Sequence, residues 1–162
     1  MAVKNQLNPE VEAILAEAIH SELYASHLYK HVANQLQRLG YFGAQKFFMS
    51  ESADELEHYQ RHVDYINDRG GVAMLPGLAD VMDSIGSLRD ALALAYDTEL
   101  TLQEDYANWF GQVDVVTQQH LWQFIEIQRK SVGEYGDLLA RLDRVEGDPC
   151  GVLLIDQELG QG

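Results

Sequence analysis

The chain has 162 residues, 46% of them hydrophobic, with 26 acidic against 11 basic side chains and a formal charge of -15. That length suits one globular domain, and the acidic surplus disfavours nucleic acid, whose phosphates need a basic surface, while suiting cations. No apolar run approaches the roughly 18 residues of a membrane span, and residues 1–9 offer no apolar signal segment, so no membrane partner and a cytoplasmic location are expected. A single cysteine, Cys150, leaves no intrachain disulfide and no thiolate metal cage.

Apolar residues recur with a helical period, and no sustained alternation of period two occurs. Asn8-Pro9 is a helix-start signal, and Val11, Ile14, Leu15, Ile19, Leu23 and Val32 carry a stripe to about Leu39, which Gly40 ends. A second stripe runs from Tyr41 through Phe48, Leu56 and Ile66 to Asp68-Arg69-Gly70-Gly71. A third runs from about Ser87 through Leu92, Leu102 and Tyr106, and a fourth from about Thr117 through Leu121, Tyr135 and Leu142. Asp148-Pro149 opens a short last segment that stops at Leu159-Gly160. The expectation is a single all-α domain with helices at about 9–39, 41–69, 87–113, 117–145 and 149–159. Short joints make helices one and two, and three and four, antiparallel pairs. The long segment 70–86 can carry the chain the length of the bundle, a single long crossover of the ferritin-like kind.

Steps of seven through the stripes read Leu15, Glu22, Tyr29, Leu36 in helix one and Phe48, Glu55, His62 in helix two. Helix three reads Leu92, Glu99, Tyr106, Val113, and helix four Leu121, Gln128, Tyr135, Leu142. Every helix thus places one carboxylate or carboxamide among large apolar neighbours, and His58 follows Glu55 by three residues on the same side. One such glutamate is ordinarily solvated, and a lone Glu-x-x-His arises often by chance. Four interruptions at one level are another matter. A carboxylate buried alone costs several kcal/mol or takes up a proton, and three together repel unless a cation joins them. Two divalent ions supply that charge. Mostly oxygen ligands with one nitrogen suit iron or manganese better than copper.

These residues resemble those of non-haem ferritins over nearly the whole chain. Ser21-Glu22-Leu23-Tyr24 with Tyr29 is similar to the family's helix-one ligand and its following tyrosine. Asp54-Glu55-Leu56-Glu57-His58 resembles Glu-Glu-x-x-His, and Glu99 and Gln128 match the helix-three glutamate and helix-four glutamine. The resemblance implies a ferritin-like antiparallel four-helix bundle with a short fifth C-terminal helix, assembled as a homo-oligomeric cage of 24 chains. It implies iron storage and detoxification, with ferroxidase activity on Fe(II) using O2 or H2O2 at a di-iron centre. Glu22, Glu55 and His58 would hold the first iron. Glu55 as bridge, Glu99 and Gln128 (directly or through the second shell) would serve the second, with Tyr29 as the nearby phenol or simply a core tyrosine.

Departures shape that expectation. Leu56 stands where bacterioferritins carry a haem-binding methionine, so no haem is expected. Gln128 and Ser131 replace their second Glu-x-x-His, and Ile127, Lys130 and Ser131 occupy the places of a third iron site. Gln60 and Gln123 replace an inner-surface acid and a pore acid. His20, His27, His31 and His120 read as surface or interface residues, His62 as a neighbour of the centre, and Phe47, Phe48, Trp109 and Trp122 as packing. A 12-subunit peroxide-protection mini-ferritin, a non-catalytic cage subunit and another di-metal oxidase are the alternative functions.

Overall fold

A computed structural model describes residues 1–162. Helix α1 (Pro9–Leu39) starts where the Asn8 side chain accepts from the Val11 N–H at 2.8 Å, and it ends at Gly40, whose φ of 85° is left-handed. Helix α2 (Phe42–Asp68) has no cap from its own N-terminal residue, Tyr41. Helix α3 (Leu88–Phe110) follows the Ser87 cap, and α4 (Val115–Arg144) follows Asp114, whose side chain accepts from Thr117. The expected third helix ran to 113 and the fourth began at 117. The Asp114 cap starts α4 earlier, and α3 stops before Gly111.

Helix α5 (Pro149–Leu159) supplies what α2 lacks. Its Asp156 carboxylate accepts from the Ala44 N–H at 2.7 Å and the Gly43 N–H at 3.3 Å, capping α2 from across the chain. Gly43 is required there, because a Cβ on it would lie 1.8 Å from the Asp156 carbonyl oxygen.

Contacts between helices fix the directions. Ser26 and Ser52 each donate a hydroxyl to the other's backbone carbonyl at 2.7 Å, and Gln45 donates to Gln37, so α1 and α2 are antiparallel. Tyr29 meets Glu99 and Tyr106 meets Glu22, which makes α3 antiparallel to α1 as well. Helices α2 and α3 therefore run the same way, joined by the long segment between them. Arg89–Asp143 and Glu99–Gln128 set α4 against α3. The result is the expected all-α bundle, four long helices with one crossover and a short fifth.

The stripes pack inward. Every residue of the four heptad rows is buried except Val113, which lies beyond the end of α3. Each large apolar side chain so buried contributes roughly 1.5–3 kcal/mol, which lets the core tolerate a polar band at mid-height. No helix is long and apolar enough to cross a membrane.

Candidate metal centre

Mid-height of the bundle is where the four interrupted stripes meet. Glu22, Tyr29, Glu55, His58, Glu99 and Gln128 are all buried. One ligand atom each from Glu22, Glu55 and His58 lies within 4.8 Å of the others. His58 Nδ1 is 3.3 Å from Glu55 Oε2 and 3.6 Å from Glu22 Oε2. Glu99 stands outside that tight triad: its Oε1 accepts from the Tyr29 phenol and its Oε2 from the Gln128 amide.

Two buried oxygens have no hydrogen-bond donor, Glu22 Oε2 and Gln128 Oε1. Buried acceptors are normally satisfied, and an oxygen left bare is costly. Both can bond only to a donor or a cation, and the acids beside them favour a cation. The oxygen-rich set with one imidazole nitrogen fits iron or a similar divalent ion.

Aromatic layers close the band on both sides. Tyr29, Phe48 and Tyr135 form one, with centroids 5.7 Å and 6.3 Å apart. His62, Tyr106 and Phe124 form the other, with spacings of 4.1, 5.3 and 5.9 Å, and Trp109 lies edge-on to Tyr106. The centre is buried, which strengthens every electrostatic interaction within it.

Residues 12–145 match the profile of the ferritin-like domain. The chain belongs to the ferritin family. It is 32% identical over 151 residues to the ferritin of Pacifastacus leniusculus, covering 88% of this chain and 83% of that protein. A probable bacterial non-heme ferritin-like protein of Haemophilus influenzae is 24% identical over 158 residues, covering 95% and 96%. Among solved structures, an open pore ferritin from Archaeoglobus fulgidus superposes with a TM-score of 0.94 at 20% identity, covering 98% of this chain and 99% of that one. That likeness concerns the fold.

Within this ferritin bundle the residues singled out from the sequence occupy one band, divided between the Glu22–Glu55–His58 triad and the Tyr29–Glu99–Gln128 set. The sequence reading passed over Tyr106, which donates its phenol hydrogen to Glu22 Oε1. The available signal was its heptad slot on α3, one step beyond Glu99, matching Tyr29 one step beyond Glu22 on α1. His120, read as a surface or interface residue, is half-buried and bonds to buried His62 at 2.9 Å. Trp122, read as packing, is 55% exposed, because it follows buried Leu121 and turns to the outer face of α4. His31 bonds the Asp83 carbonyl at 2.8 Å and His20 stacks on Tyr24, both away from the centre.

Burial raises the Glu55 carboxyl well above its ordinary range, and the Glu22 carboxyl beside it raises it further. Burial also pushes Glu22 upward, but the neighbouring Glu55 carboxyl and His58 imidazole prevail and hold it at about 2. The two neighbouring carboxyls are thus driven in opposite directions. Glu99 is raised by burial against the pull of the Tyr29 and Gln128 hydrogen bonds. Glu51, one turn before Glu55, is raised to about 7 by burial and by neighbouring Glu99 and Asp54, although Tyr135 donates to it at 3.3 Å.

The sign of the pH dependence follows. Glu51, Glu55 and Glu99 have raised values, so their contribution is present below the unfolded carboxyl range and is lost as pH rises, for Glu51 through about 7. Glu22 contributes the opposite way, and its share disappears only as pH falls toward 2. The thermal midpoint of metal-free protein is therefore expected to fall between about pH 5 and pH 8. Added divalent metal should recover most of the loss at the upper end. Calorimetry across that range checks this, and a midpoint that climbs with pH would contradict it.

Proposed function

We propose that the chain stores and detoxifies iron, acting as a ferroxidase at an intrasubunit di-iron site and holding the ferric product in a cage of 24 copies in the cytoplasm. The observation that carries this is the buried Glu22–Glu55–His58 triad, in which Glu22 Oε2 has no hydrogen-bond donor. Glu22, Glu55 and His58 bind the first Fe(II). Glu55 would also reach the second, which Glu99 and Gln128 Oε1 would complete. Two Fe(II) held side by side would together supply two electrons which, with two protons from solvent, reduce O2 to H2O2 or H2O2 to two waters, leaving two Fe(III). Tyr29 keeps Glu99 oriented through its phenol hydrogen bond.

Three separate apolar patches support assembly. Val72, Met74, Leu75 and Met82 lie exposed on the crossover, Val115, Val116 and Trp122 near the start of α4, and Leu153 and Leu154 on α5. Covering them all takes contacts with more than one neighbouring copy, as a cage provides. A Glu22–Glu55–His58 triad gathered within one chain, together with α5, favours this reading over a 12-subunit mini-ferritin.

The deciding experiment loads metal-free protein with Fe(II) without oxygen, counts the tight sites, then admits oxygen and follows the transient diferric absorbance. Two sites per chain are expected, on a particle of about 440 kDa if 24 chains of 18.3 kDa assemble. One site or none, with no oxidation, overturns the proposal.

A further inference from the structure

The two oxygens of Glu22 are treated differently by their surroundings. Oε1 accepts the Tyr106 phenol hydrogen, whereas Oε2, 3.6 Å from His58 Nδ1, is buried and has no donor. Behind Tyr106 stands His62, with Nε2 at 2.7 Å from the phenol oxygen, and behind His62 stands His120, its Nε2 2.9 Å from His62 Nδ1.

Proton counting fixes the sense of this chain. A phenol has one hydrogen, and here Glu22 receives it, so the Tyr106–His62 contact needs His62 Nε2–H as donor. His62 is fully buried, and burial pushes it down to about 3, so it is neutral and has no second N–H. Its Nδ1 must accept, and His120 Nε2–H must donate. Every bond in the series points toward Glu22. The Tyr106 ring is also clamped, lying nearly parallel to Phe124 at 5.3 Å and His62 at 5.9 Å, with Trp109 edge-on at 5.2 Å. The side chain is fully buried.

We propose that Tyr106, held by His62 and His120, is a positioning residue that commits Glu22 to binding a divalent cation through Oε2 alone. With Oε1 engaged, Glu22 binds as a one-oxygen ligand and its second oxygen cannot close a chelate. This rests on the reading of Glu22 as a metal ligand.

The test uses the full-length metal-free protein and Co(II), whose visible bands report coordination. Wild-type protein should bind Co(II) with a defined spectrum. In Tyr106→Phe the affinity should drop about 10- to 100-fold, the range for lost outer-shell partners, and the bands should shift as both Glu22 oxygens become available. Equal affinity with equal bands overturns the proposal. Weaker binding with unchanged bands also overturns it, since lost packing alone gives that result. Should Tyr106→Phe not fold, His62→Phe keeps the aromatic stack and removes the donor to Tyr106. A smaller affinity loss with bands moved the same way supports the proposal, and unmoved bands overturn it. Failure of wild-type protein to bind Co(II) at all is distinguishable, because it removes the metal reading of the site itself.

Discussion

Glu55→Gln is expected to reduce Fe(II) oxidation by at least about 100-fold while making the metal-free protein more stable near pH 8. The two effects have one cause. Glu55 is buried beside Glu22 and its carboxyl is raised well above the usual range, so ionising it at neutral pH works against folding. Glutamine keeps the shape and removes that charge. It also removes the carboxylate that sits within 4.8 Å of the Glu22 and His58 ligand atoms and would join the two ions. Thermal melts without metal should show a higher midpoint than wild type, and melts with excess divalent metal should show little further rise. Oxidation at the wild-type rate would show that the bridging role is misassigned. A lower metal-free midpoint would show that Glu55 earns its place structurally.

Gly43→Ala should detach α5 while leaving the centre assembled. The new methyl would lie 1.8 Å from the Asp156 carbonyl oxygen, and no side-chain rotation relieves a contact between two backbones. Detachment takes away the cap that Asp156 provides to the Gly43 and Ala44 N–H groups, and with it the Lys46 bond to the Gly160 carbonyl at 3.1 Å. Loss of a cap costs about 1–2 kcal/mol, and two bonds to a carboxylate lie toward the upper end of that range. Limited proteolysis should then cut near residues 145–149, and sedimentation should reveal smaller particles, since exposed Leu153 and Leu154 belong to α5. Metal binding per chain should persist, because the triad is carried by α1 and α2. An intact α5 in this variant would mean that the helix shifts without undocking.

Helix identity was legible because it depends on local periodicity. Leu15, Glu22, Tyr29 and Leu36 share a face whatever their neighbours do, and all four are buried. The band was legible for the same reason, since each heptad row held a polar residue among bulky ones. What escaped was set by register between helices. Nothing near Tyr106 in the chain shows that its phenol reaches Glu22, 84 residues away, or that His120 meets His62, 58 residues away. The Asp156 cap spans 112 residues to Ala44 and is equally invisible to a reading of neighbours. The α3–α4 boundary was missed for a smaller reason: Asp114 can cap a helix beginning at Val115, yet Val115 and Val116 are exposed and add nothing to the stripe.

The polar band sits near the middle of each long helix rather than at a tip. Helices unravel from their ends, where backbone bonds are incomplete, so warming should loosen the rims of the bundle first. Amide protons around Glu22, Glu55, Glu99 and Gln128 should be the last to exchange with deuterated water. With the assembly and activity proposed above, gradual heating would dismantle contacts between chains before the chemistry inside each one, leaving fragments of the proposed shell that still turn over iron.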